Sequence, residues 1–490
     1  MTTPRVAILG AGFSGLCMGI RLREAGIASF AIYEKADRVG GTWRDNVYPG
    51  ICCDVPSHLY SFSFAPNPDW SRLYAPGEEI QAYCERVARD FGLAPHLRFG
   101  AEVVRVDWTG DEWRIAFADG SEERADFVVS GLGALHRPST PAIPGLERFR
   151  GASFHSARWD TAHDVAGERV AVVGSAASAI QIVPEIAGRA SHVTVFQRTP
   201  NWILPRRDRA YPAWCKRLFR LVPLAQRLHR LWIYLNMEWR VFAFEQEGFL
   251  SAPLERMCRA HIAKQVADPE LRATSTPDYR PGCKRILVSD DWFDAVQRDD
   301  VAIETSAIER VEERGIVTAD GALHEVDTIV WATGFEPFSL LAPLVVTGRD
   351  GRRLDETWAE GIEAHRTVAV AGYPNFFMLL GPNSGLGHNS IILIIEAQAR
   401  YVLQLIRAAM RPDGSIARIE PRPDATAAFN RDIQERLATT IWKSGCRSWY
   451  MDERGRVYTL WPGSTLRYLW TMRRPRLAEY ERRAAQGAVA

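Results

Sequence analysis

The chain reads as an α/β protein built from two Rossmann-like units, the second carrying a helical insertion. Three observations predict this class. An apolar run at 5–9 leads into the turn Gly10-Ala-Gly-Phe-Ser-Gly15, and a helical pattern follows over 16–25. A second apolar run at 169–173 leads into Gly174-Ser-Ala-Ala-Ser-Ala179, again with a helical pattern behind it. The offset from Gly10 to Glu34 equals that from Gly174 to Arg198, so one strand–turn–helix–strand unit occurs twice.

In the first unit each turn residue has a physical reason. Gly10 permits the tight turn, Gly12 lets backbone N–H groups approach a pyrophosphate, and Gly15 lets helix and strand pack closely. Phe13 and Ser14 stand at the helix N-terminus, whose dipole favours that phosphate. The second strand, at 29–33, ends in Glu34, which can accept both ribose hydroxyls of an adenosine. The first unit is therefore expected to bind a dinucleotide.

The second unit exchanges that acid for a base. Its second strand, at 192–196, runs into Gln197-Arg198-Thr199. A carboxylate there would repel a 2′-phosphate, whereas a guanidinium can hold it bidentately, so NADP is favoured over NAD. The turn keeps Gly174 and Ser175 but places Ala176, Ala177, Ser178 and Ala179 after them. Ala176 and Ala179 stand where glycines would give closest backbone approach, so a weaker or differently seated NADP is expected.

Length and composition bound the remainder. A chain of 490 residues has room for two or three domains, and 47% hydrophobic with 24% charged residues is ordinary for a globular protein. A net charge of +1 gives no electrostatic reason to expect nucleic acid or an anionic membrane as partner. The start runs directly into a strand without signal-peptide regions, and the apolar stretch 391–395 is too short to span a bilayer, so a cytoplasmic protein is expected. The eight cysteines lack zinc spacing and Cys-x-x-Cys, so no metal is expected; all eight read as reduced thiols, adjacent Cys52 and Cys53 included. Without a dithiol motif, a flavin disulfide reductase is disfavoured.

Segment 204–281 breaks the strand–helix rhythm. Within it, 218–250 mixes Trp, Phe, Tyr and Leu with Arg and reads as one or two amphipathic helices. Packing against the second nucleotide unit is the favoured reading; a substrate lid or a membrane-touching surface is the other. The Ala- and Arg-rich end after Arg474 reads as a partly frayed helix.

Between the two turns lies Phe149-Arg-Gly151-Ala-Ser-Phe-His155-Ser-Ala-Arg-Trp159-Asp160, which resembles the fingerprint of type I Baeyer–Villiger monooxygenases. Gln197-Arg-Thr-Pro-Asn-Trp202 and the Ala-Ala-Ser-Ala turn resemble the 4-hydroxyacetophenone monooxygenase-like branch. The resemblance implies FAD in the first unit and NADPH in the second. It also implies insertion of one oxygen atom from O2 beside a ketone carbonyl, by way of a C4a-peroxyflavin, to give an ester or lactone. Glu34-Lys35-Ala-Asp-Arg-Val-Gly-Gly41-Thr42-Trp43 resembles the family's second glycine pair at the flavin pyrophosphate, and Val103 matches the position that meets the flavin's adenine. Ala332-Thr333-Gly334 resembles the strand linking the two nucleotide domains, stopped by Gly334 and Pro337.

The same resemblance assigns chemistry. Tyr48-Pro-Gly50-Ile-Cys52-Cys53-Asp54 looks like the segment that brings an aspartate to the flavin, and Gly282-Cys-Lys284-Arg285 like the segment with the catalytic arginine. Carried over, Lys284 joins Arg198 and Thr199 at the 2′-phosphate, while Arg285 acts with Asp54. Phe149, Gly151, His155, Trp159 and Asp160 are expected to act as a hinge rather than in proton transfer. Trp442-Lys-Ser-Gly-Cys446-Arg-Ser-Trp449 resembles a mobile segment whose tryptophan reaches nicotinamide and substrate, with packing as the equal alternative for Trp449 in a chain with 16 tryptophans. His388, in the loop before the helix from Ile391, is expected to be solvent-exposed rather than a cofactor contact. The implied domains are 1–145 and 335–490 for FAD, and 146–334 for NADP with the insertion 204–281. An N- or S-oxygenating flavin enzyme, and an NADPH oxidase or redox-responsive flavoprotein without organic substrate, are the alternatives.

Overall fold

Two parallel five-stranded sheets organise the chain in the computed structural model, which describes residues 3–245, 250–336, 341–446 and 448–483. The first sheet has the order 376–378, 127–130, 6–9, 30–34, 97–99, so the chain returns to it late. Its central strand Val6–Leu9 is buried along its whole length, as a strand covered on both faces must be. Helix Phe13–Glu24 lies so close to the sheet that a Cβ on Gly15 would fall 1.9 Å from the Gly10 carbonyl oxygen. Helix Ile391–Ala409, capped by the Ser390 hydroxyl, buries a continuous apolar face in the same core as that helix.

The second sheet has the order 301–304, 192–196, 169–173, 328–331, 152–155. Gly174, with φ +112°, ends the central strand where a Cβ would meet the Ala332 carbonyl oxygen at 2.5 Å. Strands Val103–Trp108, Trp113–Phe117 and Glu122–Ala125 form an antiparallel meander, extended by Val345–Thr347. The connecting segments run side by side: Ser139 N–H donates to Gly334 O (2.9 Å) and Glu336 N–H to Arg137 O (3.0 Å). Pro337 lies outside the described residues.

Four expectations are corrected. Cys283 and Cys446 form a disulfide, so the thiol reading holds for six cysteines, Cys52 and Cys53 among them. The pair is 163 residues apart in sequence and is brought together because both flanking segments pack on Phe244. The insertion helices Ala213–Leu221 and Pro223–Glu238 pack on residues near His58 and Asn67 rather than on the second sheet: Gln226 donates to Asn67 O (2.8 Å) and Arg230 to Ser61 O (3.0 Å). Beyond Arg474 comes a short turn and then strand Tyr480–Arg483, antiparallel to Arg418–Pro421. Burial of Tyr480, whose hydroxyl meets that of Tyr401 at 3.0 Å, overrides the helix propensity there. Residues 484–490 lie outside the described residues.

The fourth correction is His388, which is buried beside Glu238 (3.5 Å) rather than exposed. Glu238 also accepts from Asn389 Nδ2 (2.8 Å) and the Leu466 N–H (3.0 Å), tying the insertion to the C-terminal part. Burial pushes its carboxyl up, but hydrogen bonds from His388 and the Leu466 N–H outweigh this and pull it down to about 2. A depressed acid adds stability that is complete above its ordinary range and is lost as pH falls. Glu238→Gln is therefore expected to cost about 3 kcal/mol at neutral pH, and the difference should shrink below about pH 4. Denaturant unfolding across pH checks this; a difference that does not change with pH would contradict it.

Candidate functional site

A cleft opens at the C-terminal edge of the first sheet. It is lined by Gly10, Gly12, Phe13, Ser14, Glu34, Lys35, Gly41, Thr42, Trp43 and Val103, together with Ile391, Ile392 and Ile395 of the late helix. The two glycine turns meet back to back: a Cβ on Gly41 would fall 3.2 Å from Gly12 Cα. Helix Phe13–Glu24 begins at Gly12 with no side chain capping it, leaving its N–H groups for an anion. Gly15 is outside the lining and serves helix–strand packing. Buried Glu34 is held by N–H groups of Ala11 (2.9 Å) and Ala36 (3.0 Å) and by Arg44 Nη1 (3.0 Å). Arg44, which also lines the cleft, escaped sequence reasoning; its place directly after Trp43 was the available signal. The uncapped helix, the glycine cradle and the apolar wall fit a dinucleotide with a flat apolar ring.

At the second turn, Ala176 and Ala177 are exposed, whereas Ala179, at the start of helix Ala179–Ile186, is buried. Ser175 Oγ donates to Thr199 O (3.3 Å), and Asn201 Nδ2 to Ser175 O (2.9 Å), fixing the turn against the segment that carries Arg198. Ser178 borders helix Ala179–Ile186, which no side chain caps. Burial, and then repulsion from Arg198, lower the pKa of Lys284, so the two cations face common ground. Lys284 Nζ also lies 4.7 Å over the Tyr279 ring. Two cations held near each other at some cost suit a phosphate dianion.

The two units meet through the segment 48–54. Tyr48 Oη donates to Gln181 Oε1 (3.1 Å), and Gln181 Nε2 donates to Cys52 O (3.2 Å). Gly50 has φ +77°, and a Cβ there would fall 2.5 Å from the Gln181 carbonyl oxygen. Cys52 Sγ accepts from Arg206 (2.7 Å), and Cys53 is buried in the core; neither lines the cleft. Asp54 then accepts from Arg285 Nη2 in an ion pair that leaves 42% of the arginine side chain and 34% of the aspartate open. Asp54, against the opposing effect of burial, holds Arg285 above its ordinary pKa.

Buried Tyr450, which sequence reasoning passed over, senses both charges; burial foremost raises its hydroxyl to about 12. Its neighbour Trp449 is 41% exposed and leans on it at 4.6 Å. Disulfide Cys283–Cys446 fastens the Lys284–Arg285 segment to this C-terminal segment. Gln181 and Tyr450 carried no local signal, since each matters only through a contact distant in sequence.

The stretch 149–160 forms the edge of the second sheet. Phe149 packs beside the core around Trp331, and a Cβ on Gly151 would fall 2.1 Å from the Asp327 carbonyl oxygen. His155 pairs with Trp331 across the sheet, and its Nδ1 accepts the Ala157 N–H (3.0 Å). Its ring lies 6.0 Å from that of Phe335, beside the Ala332-Thr333-Gly334 connection. Trp159 packs edge-on against Phe154 (5.0 Å), and Asp160 accepts the Ala162 N–H (2.9 Å) in a turn. These contacts hold the stretch against the second sheet and beside the 332–334 connection. Among the described residues no group of three His, Cys, Asp or Glu side chains could hold a metal, and no helix is long and apolar enough to cross a membrane.

Comparison with known proteins gives this geometry a context. The flavin-binding monooxygenase-like family model matches residues 3–411. A Baeyer–Villiger monooxygenase of Streptomyces coelicolor is 46% identical over 480 residues, covering 97% of this chain and 92% of the relative. A Baeyer–Villiger monooxygenase of Pseudomonas aeruginosa is 43% identical, covering 95% and 88%. Among solved structures, an oxidised steroid monooxygenase bound to NADP matches with TM-score 0.87 at 30% identity, covering 99% of this chain and 100% of that one. Closed cyclohexanone monooxygenase matches with TM-score 0.86 at 27% identity and the same coverage.

Lys284→Met is expected to raise the KM for NADPH roughly ten- to a hundredfold and to erase the preference over NADH. Because the Lys284 pKa is lowered, affinity for NADPH should weaken as pH rises through that value, and less so in the variant. Steady-state kinetics with both nucleotides across pH checks this; an unchanged nucleotide ratio would contradict it.

Proposed function

Because this chain belongs to the flavin-binding monooxygenase-like family, with FAD and NADP as cofactors, we propose that it is a Baeyer–Villiger enzyme acting on a ketone. The balanced reaction is ketone, O2, NADPH and a proton giving ester or lactone, NADP+ and water. Bound FAD, reduced by NADPH, supplies the electrons that activate O2. The observation that carries the reading is the Arg285–Asp54 pair at the contact between the two units.

Oxygen insertion beside a carbonyl places negative charge on the former carbonyl oxygen as that carbon becomes tetrahedral. Arg285 is a permanent cation with several N–H donors and can hold that charge without giving up a proton. Asp54 orients the guanidinium and keeps the partly buried cation paired. Lys284, next in the chain, works with Arg198 and Thr199 on the nucleotide phosphate, so neighbouring cations serve opposite ends of NADPH. His155 holds the connection between units, and Trp449 closes over the nicotinamide end. Within the family we place the chain in the 4-hydroxyacetophenone monooxygenase-like branch; fully buried Trp202, donating to Tyr279 O at 2.7 Å, supports the motif's structural importance. The reaction is assigned to the cytoplasm.

Arg285→Ala is expected to lower ester formation about 10²- to 10³-fold while NADPH oxidation continues with release of H2O2. Product and peroxide assays on a panel of ketones, amines and sulfides check this. Undiminished ester formation by the variant would overturn the role of Arg285. Oxygenation of amines alone by the parent enzyme, or peroxide release that no substrate suppresses, would overturn the ketone reading.

A further inference from the structure

The insertion helices present an apolar face that nothing among the described residues covers. Trp214, Leu221, Leu224, Leu228, Trp232 and Leu235 are each more than half exposed. On helix Pro223–Glu238 the inward face is already supplied by Gln226, Ile233 and Met237, which are buried. Leu224, Leu228 and Leu235 lie on the opposite side by helical spacing, so this helix is apolar on both faces. The patch continues onto a second element: Leu466, 66% exposed, and Trp470, 73% exposed, adjoin it where the Leu466 N–H bonds Glu238.

Charge selects the occupant. Lys216, Arg217, Arg220, Arg227, Arg230 and Arg240 stand between 213 and 240 against one acid, Glu238; Arg230 is turned inward onto Ser61 O and Arg220 pairs with Asp69, which leaves Lys216, Arg217, Arg227 and Arg240. Glu238 is turned inward to Asn389 and the Leu466 N–H, so it does not offset the basic rim. Arg217, Arg227 and Arg240 are exposed. The near-zero net charge of the whole chain conceals this local excess. A second copy would set like charges against each other, whereas an anionic lipid surface complements them. Tryptophans mixed with leucines and bordered by arginines suit the headgroup–acyl boundary.

We propose that this face docks the enzyme on the surface of an anionic lipid bilayer, lying in the interface without spanning it. The helix leads through the turn Trp239–Ala243 to Phe244, whose ring packs against Gly282, three residues before Arg285. Docking thereby sets the route to the proposed site beside a phase in which apolar substrates concentrate.

Flotation of the FAD-loaded full chain with vesicles tests this directly. Recovery with equimolar phosphatidylcholine and phosphatidylglycerol vesicles, and not with phosphatidylcholine alone, is expected. Leu224→Asp/Leu228→Asp should lower that recovery at least about tenfold, with flavin content and turnover in solution unchanged. Arg217→Glu/Arg227→Glu should lower it by a similar factor through charge alone, and added salt should do the same to the parent enzyme. Absence of flotation, equal recovery with both vesicle types, or full recovery of both variants would overturn the proposal. So would a dimer in sedimentation velocity that Leu224→Asp/Leu228→Asp dissociates, since a second copy would then cover the face.

Discussion

Gly50 lies so near helix Ala179–Ile186 that any side chain there would collide with the Gln181 carbonyl oxygen. That contact joins a loop of the first nucleotide unit to the first helix of the second, and Tyr48, Gln181 and Cys52 lock it with hydrogen bonds. Asp54 follows immediately and inherits its position from this dock. Arg285 arrives on a segment that leads into strand Leu287–Val288 and whose cysteine is bonded to the C-terminal segment. A charge pair between the two nucleotide units can form only if their approach is fixed closely, and a glycine at φ +77° permits that closeness.

The cations near the nucleotide sites are sorted by their partners. Arg285 has a carboxylate beside it that outweighs the effect of burial on its charge, which suits the role proposed for it, holding negative charge as it develops. Lys284 has Arg198 for a neighbour, and both burial and that repulsion disfavour its charge. Under the proposed function a phosphate bound beside it would offset both effects, which is the basis of the proposed discrimination for NADPH. Two adjacent residues thus answer different electrostatic demands because each faces a different unit.

Much of this was legible in the sequence, for reasons that are local. Gly10, Gly12 and Gly15 each respond to a constraint within one turn, and the equal offsets to Glu34 and Arg198 follow from one strand–helix–strand length occurring twice. The pairing of Asp54 with Arg285 was reached through motif resemblance and not through spacing. What stayed hidden depends on tertiary contact. Gln181 looks like any helical glutamine until Gly50 is placed against it, and Tyr450 has no motif of its own. Cys283 and Cys446 pair because Phe244 gathers their segments, and His388 is buried because Glu238 reaches it from the insertion. The last strand forms where Tyr480 finds Tyr401, against the helix preference of its neighbours.

The most direct measurement is mass spectrometry of the ketone product formed by the holoenzyme under isotopically labelled O2, with NADPH consumption followed in parallel. The account predicts an ester or lactone carrying a single labelled oxygen for each NADPH oxidised, with the second atom in water. Label found in hydrogen peroxide and water but never in an ester would contradict it.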